Sequence, residues 1–429
     1  MTSEINYKEV WEFAYAAYSG TGGFYDKSYL VQHPRESDEK YKARQEVAYY
    51  TNLFSQKITR YVGYLYRTTP IRTTSNALIK EIFNDADKMG NSIDVFMSSF
   101  AKNAKVRGAG IVLVDMPSEI PGTLKDQIES RALPYFVDIK PENIISYKQD
   151  QFGNFEYVAY SDVLDRSTFE EEDIVDIVRY YDAEKWVVYE NDEVLDSGYH
   201  NLGVCPIVSF GENGKFPDIG EFTQVASIQK RLFNLSSELD DVLRSQTFSV
   251  LTIQADNPSE VAITLSTDNA IKYGAGMDRP GFIAPDSAPS TTYQEQIAAL
   301  EKNINDITYD ITTSLAAESG VALELKFQGL NGSLSNFAMR LEDFEKRIFY
   351  VASLYLGVAY DVEIMYPTDF NISDIMTDIE ILGSIKDLGY SIPNYEAEKL
   401  KQIVSNDLNN ISNEQLDVIG VEIEDSMKE

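Results

Sequence analysis

Apolar side chains recur at Ala43, Val47, Tyr50, Phe54, Ile58, Tyr61 and Leu65, in steps of four, three, four, four, three and four. That spacing lines one face of a helix, so one long amphipathic helix is predicted over 37–67. It should stop before Pro70, which lacks an N–H and restricts its predecessor. A second helix is predicted over 92–105. The continuous apolar run 111–114, after Gly108 and Gly110, reads as a buried strand.

From 134 to 211 the pattern changes to short runs rich in Val, Ile, Tyr and Phe, separated by turn signals such as Phe152-Gly153-Asn154, Asn191-Asp192 and Ser197-Gly198. An antiparallel meander follows from this. Residues 165–173 are a mainly acidic insertion, with Glu170, Glu171 and Glu172 outweighing Arg166, and read as a solvated loop.

After Pro217 a helix is predicted to about Ser245, striped by Phe222, Val225, Ile228, Leu232, Leu235, Leu239 and Val242. Its partner is predicted to begin at Thr292, where Thr292-x-x-Glu295 has the form of a capping box, and carries Ile297, Leu300, Ile304, Ile307, Ile311 and Leu315. Between them, Val261, Ile263 and Leu265 alternate before a stretch rich in Gly and Pro, a small strand-bearing insertion at the tip of a helical hairpin. The stretch 318–335, with Gly320, Gly329 and Gly332, reads as a break. A further helix then presents Phe337, Leu341, Phe344, Ile348, Val351 and Tyr355 until Gly357. Helical patterns near 373–388, 395–408 and 412–427 form a small acidic cap.

Composition narrows the function. At about 100 to 200 residues per domain, 429 residues allow two to four units. Lys and Arg total 37 against 69 Asp and Glu, a formal net charge of -32. Tight binding to nucleic acid or anionic membrane needs clustered cations, so this balance argues against both. Hydrophobic content of 43% and aromatic content of 12% are those of a folded protein. A single cysteine, Cys205, closes no disulfide within the chain and fits a reducing compartment. The first residues mix Glu4, Lys8, Glu9 and Glu12 with apolar ones, unlike a signal peptide, and no span approaches the roughly 20 apolar residues of a membrane helix. A soluble cytosolic product without a membrane partner is expected.

Catalytic patterns fail one by one. His33 and His200 lie far apart among turn residues, poor material for a metal site or triad. The run Gly211–Lys215 lacks the first Gly of a phosphate loop at the required spacing and has Phe216 where Ser or Thr should hold magnesium. Gly108-Ala109-Gly110 precedes a strand and lacks a third Gly, so it is a turn. Asp85-x-Asp87 opens like a calcium loop, but Met89 and Phe96 occupy ligand positions. Acidic neighbours such as Asp240 and Asp241, or Asp378 and Glu380, are most simply solvated helix faces. No cofactor, metal or catalytic activity is expected.

The order of parts is more telling. The segments GGFYDKSYLV at 22–31 with His33-Pro34-Arg35-Glu36, RGAGIVLVDMP at 107–117, LPYFVDIKPENIISY at 133–147, NLGVCPIVSFG at 201–211, the helix from Asp218 ending in FSVLTI at 248–253, and ESGVALELKFQGL at 318–330 follow one another across most of 20–370. In that order the chain resembles the portal proteins of tailed double-stranded DNA phages. The resemblance implies an α+β fold: a helical wing with an antiparallel β meander, two long stem helices, a small β-containing clip and a helical C-terminal crown. It divides the chain into wing (1–217), stem helix one (218–255), clip (256–290), stem helix two (291–317), tunnel loop (318–335), wing again (336–367) and crown (368–429).

It also implies a homo-oligomeric ring, usually of twelve subunits, at one capsid vertex, assembled in the host cytoplasm. Double-stranded DNA would pass through its channel during packaging and ejection. Terminase and then head completion or adaptor proteins would dock on it, with major capsid and scaffolding proteins around it. By this resemblance the channel loop holds Glu318, Gly320, Lys326, Gln328, Gly329, Asn331 and Gly332, and the clip interface holds Val261, Ile263, Leu265, Lys272 and Arg279. The net acidity suits a conduit: phosphates at about 1.7 Å intervals would be held by a basic lining, while an acidic wall leaves DNA free to slide. Alternatives are another non-catalytic virion component, such as a tail or baseplate protein, and a nucleotide hydrolase with a degenerate motif.

Overall fold

The structure, a computed structural model, describes residues 5–117, 119, 121–247, 250–252, 281–283, 288–310, 320–368, 370, 396, 397, 400, 401 and 418–423. It is a mixed α and β fold. Helix α1 (Tyr7–Ser19) leads into α2 (Asp38–Val47) and α3 (Leu53–Leu65), then strand β1 (Ile71–Thr73), α4 (Ala77–Asn84) and α5 (Ile93–Arg107). Strand β2 (Ala109–Asp115), α6 (Leu124–Glu129) and β3 (Tyr135–Ile139) precede a run of strands: β4 (Ile144–Gln149), β5 (Phe155–Asp165), β6 (Ile174–Asp182), β7 (Lys185–Glu190), β8 (Glu193–Tyr199) and β9 (Ile207–Gly211). Then come α7 (Val225–Thr247), β10 (Val250–Thr252), β11 (Gly281–Ile283), α8 (Ala288–Ile307), α9 (Gly320–Leu356) and β12 (Glu363–Met365).

The meander predicted over 134–211 is present over 144–199, as a five-stranded antiparallel sheet β4-β5-β6-β7-β8, while the strands at the two ends of that range, β3 and β9, leave it to flank β2. The apolar run at 111–114 lies in β2, the middle strand of β3-β2-β9. Both faces of β2 are buried, which explains a continuous run where a half-exposed strand would alternate. Val112 and Val114 face a helical core with Phe100, Phe136, Phe210, Phe337 and Phe344. Ile111 and Leu113 face a second core against the larger sheet, with Val158, Tyr160, Tyr181 and Phe216. The three-stranded sheet is thus the middle layer between helices and meander.

Several expectations need correction. The helix predicted over 37–67 is two helices. Ala48 is extended (φ -62, ψ 136), and the Asn52 side chain caps α3 by accepting from Ser55 N–H at 2.9 Å. Between them Tyr50 leaves helical geometry to pack 4.4 Å from the Phe24 ring, its hydroxyl donating to Ala17 O. The partner helix starts four residues before Thr292, at Ala288, with Pro289 in its first turn, where a missing N–H costs nothing. Thr292 does not cap; its hydroxyl donates to Ala288 O at 3.3 Å. The helix expected from 218 begins at Val225, after turns. The stretch 320–335, expected as a break, is the first part of α9.

Helix α9 ends where predicted, at Gly357, with φ +64. The acidic insertion is the β5–β6 loop. Strand β12, unpredicted, pairs antiparallel with β1. The crown patterns fall almost wholly outside the described residues, although 418–423 are helical.

Candidate functional site

The α7–α8 hairpin is the place where expected functional residues and unexpected chemistry meet. Helices α7 and α8 run side by side, and β10 pairs antiparallel with β11, Leu251 opposite Phe282, at their far end. The clip residues Val261, Ile263, Leu265, Lys272 and Arg279 lie outside the described residues, as does Glu318.

At its base, just past α8, the buried Asp310 is gripped by two cations of α3, Lys57 and Arg60, the latter at 2.5 Å. The preceding residue, Tyr309, sits at φ +53, and its hydroxyl donates to Glu221 Oε1 at 2.6 Å. Burial, reinforced by Glu221, pushes the Tyr309 phenol up to about 12, so it stays a donor at neutral pH. Glu221 Oε2 accepts from the Ser333 hydroxyl at 3.2 Å and pairs with Lys105 at 3.1 Å. Tyr61 and Ser333 share a 2.8 Å hydrogen bond. One network therefore ties α3, α5, the turn before α7, the end of α8 and the start of α9.

Lys105 is its centre. It is 1% exposed, paired with Glu212, and its ammonium lies 4.2 Å from the Phe222 ring centre and 4.6 Å from that of Tyr61. Burial works against the charge, but Tyr61, Glu212 and Glu221 more than reverse this, and the Lys105 pKa stands above its ordinary value. Isolated burial would have neutralised such a lysine. Two neighbouring knots repeat the design. Arg107 holds Glu142 through two hydrogen bonds of 2.8 and 2.6 Å and stacks 4.1 Å from the Tyr15 ring. Arg72 joins Asp94 at 2.6 Å and the fully buried Glu345, which also accepts from the Tyr366 hydroxyl at 2.6 Å. The sequence carries one faint sign of this: Met97, Ala101 and Lys105 are spaced four apart, so the lysine continues the buried stripe of α5.

The channel-loop residues divide. Gln328, Gly329 and Gly332 line a groove of about 470 Å³ with Tyr309, Glu221 and Asn213. Gly329 faces Tyr309 so closely that a Cβ there would stand 3.4 Å from the ring. Lys326 reaches across to Asp306 of α8 at 3.8 Å, and Asn331 Oδ1 accepts from Phe370 N–H at 2.8 Å. Gly320 opens α9. In this arrangement the one lysine of the segment is directed to α8 of its own chain.

Elsewhere the chemistry is that of structure. His33 accepts from Arg35 N–H through Nδ1, and His200 accepts from Leu202 N–H, each within its own turn. Cys205 is buried, and desolvation pushes its thiol up to about 12. Among the described residues no cluster of His, Cys, Asp or Glu could hold a metal ion, and no helix is long and apolar enough to cross a membrane.

No family model matches the chain, and no curated protein does. Among solved structures it is similar to a chain of the neck of an empty GTA particle computed with C6 symmetry, at 11% identity and a TM-score of 0.49, over 81% of this chain and 90% of that one. It is also similar to a chain of the neck of a native GTA particle computed with C12 symmetry, at 11% identity and a TM-score of 0.46, over 89% and 98%.

Proposed function

We propose that the chain is a portal-type subunit: a non-catalytic ring component at one capsid vertex, through which DNA is packaged and ejected and on which terminase and head completion proteins dock. The observation that supports this most is the α7–α8 hairpin. Helix α7 is anchored among α1, α2 and α3, whereas α8 packs chiefly on α7. Its outward flank, with Gln294, Glu295, Ala298 and Glu301, is exposed. A helix held on one side is what a stem needs if neighbouring copies and a central passage are to occupy the others.

The charge of that flank fits the role. Glu295, Glu301 and Asp306 outnumber Lys302 on the exposed positions of α8. Such a wall offers sliding DNA few cations to trap it. The ion-paired base supports the same reading, because a stem that transmits force needs a rigid root. The 256–290 segment would be the clip, and the groove at Gln328, Gly329 and Gly332 would sit near the narrowest part of the passage.

The mass of the native assembly tests this. Twelve subunits of 48.4 kDa predict about 580 kDa. A strictly monomeric protein under all assembly conditions would overturn the reading. Replacing 256–290 by a short linker should leave the wing folded and abolish terminase binding; retained binding would remove the clip assignment.

A further inference from the structure

We infer that the acidic loop between β5 and β6 of one copy docks into a cationic cleft on a second copy, head to tail. The cleft, about 660 Å³, opens between the β4–β5 turn, the end of β9 and α9. Lys215, Arg340 and Arg347 line it, and none of the three forms an ion pair among the described residues. The buried cations Arg44, Lys57, Arg72, Lys105 and Arg107, by contrast, all have carboxylate partners.

The cleft is shaped for an anion. Arg340 lies over Gly214, where φ is +89 and a Cβ would stand 2.9 Å from its Nη1, so glycine makes room for the guanidinium. Arg347 is held by donating to Ser209 O at 2.8 Å. Of the two carboxylates present, Asp150 is occupied by its own turn, accepting from Phe152 and Asn154 N–H at 2.8 and 2.9 Å, which leaves Asp343. Phe152 stands at the rim, 79% exposed.

The loop has the complementary features. Phe169 projects fully into solvent, followed by exposed Glu170, Glu171, Glu172 and Asp173. Its backbone is ordered by Arg166 N–H to Asp173 O at 2.7 Å and Thr168 N–H to Glu171 O at 2.8 Å. Its own cation, Arg166, is already engaged with Glu190 at 2.7 Å. Little ordering entropy remains to be lost on docking. Phe169 would meet Phe152 while the carboxylates meet Lys215, Arg340 and Arg347.

Loop and cleft lie at opposite ends of the 11-residue β5, roughly 35 Å apart at about 3.3 Å per residue. A loop cannot reach the cleft of its own chain over that distance. Two different surfaces on one chain make a heterologous contact, which closes into a ring when the rotation permits. The inference rests on the portal reading only for the number of copies that close.

Two charge-reversed variants test it: R340E/R347E in the cleft and E170K/E171K/E172K in the loop, both checked by circular dichroism for an unchanged unfolding midpoint. Sedimentation should show self-association of the unmodified chain that weakens with salt and falls about tenfold or more in each variant alone. Mixed, the two should associate again, since the intact loop of one meets the intact cleft of the other and the reversed loop meets the reversed cleft with its charges exchanged. Association unchanged by either set of substitutions would overturn the contact and leave a ring reading intact. Loss in the cleft variant alone would mean that another segment occupies the cleft, and would overturn it too. Restored association in the mixture without closed rings of the unmodified chain would keep the contact and refute the portal reading.

Discussion

Lys105 on α5 and Glu212 just after β9 form a buried ion pair, 1% and 8% exposed at their side chains, with three aromatic rings around the ammonium. The pair fastens the middle sheet to the turn that launches α7, and through Glu221 it reaches Tyr309 at the end of α8 and Ser333 on α9. The base of the α7–α8 hairpin is therefore tied to the middle sheet through Lys105, beside the Lys57 and Arg60 pairs to Asp310.

Removing that cation should be costly. Lys105→Met leaves Glu212 buried opposite an apolar side chain, and breaking a buried pair costs on the order of 3–5 kcal/mol. Glu212→Gln added to it should recover part of the loss. Urea unfolding of both variants measures this; equal stability of Lys105→Met and the unmodified chain would contradict it.

Gly108 should tolerate no side chain. Its φ is +80, and a Cβ would stand 1.8 Å from Gly220 N, backbone against backbone. Beyond the roughly 1–2 kcal/mol of a left-handed residue, the α5–β2 corner and the turn before α7 would have to separate. Gly108→Ala should unfold at lower urea or be recovered insoluble, whereas Gly122→Ala, with open space around it, should behave as the unmodified chain.

The stability of the middle sheet should depend on Asp138. Burial raises its carboxyl to about 6, against the opposing hydrogen bond from Asn103 Nδ2 at 2.8 Å. The folded state thus binds this proton more tightly than the unfolded chain, whose carboxyl titrates at about 3.9. The group's favourable contribution is complete below the unfolded value and lost as pH rises through 6. Asp138→Asn should therefore stabilise by on the order of 1–2 kcal/mol at pH 8 and change little at pH 4.

Cys205 should report on global opening. With its thiol pushed up to about 12 by burial, thiolate reagents at pH 8 should modify it only in unfolded protein. Rapid labelling of the native chain would contradict its placement against Tyr181 O.

These features differ in how far the sequence reveals them. Helix α5, strand β2, the acidic loop and the stop at Gly357 each follow from a local pattern and stand where the pattern put them, whereas the meander keeps its middle strands and loses β3 and β9 to β2, because alternation alone does not say which strand a neighbour pairs with. The break at 48–52 does not, because the apolar spacing continues through it. Tyr50 and Asn52 are recruited by Phe24, Ala17 and Tyr18, partners distant in sequence. The helix over 320–335 defies its glycines for a similar reason. Each Gly costs a helix about 1 kcal/mol, yet Leu330, Leu334 and Phe337 on the same turns are buried in the main core. Strands β1 and β12 are three residues each and find one another only through the fold. The ion-paired stem root was least legible, since a charged residue in a helix reads as solvated until its surroundings are known.

Electron microscopy of the purified protein, viewed end-on, separates a ring-forming subunit from every alternative. Closed rings with an open axial hole, lined by the α7–α8 hairpin, are expected. Monomers, open filaments or solid assemblies without a hole would contradict this.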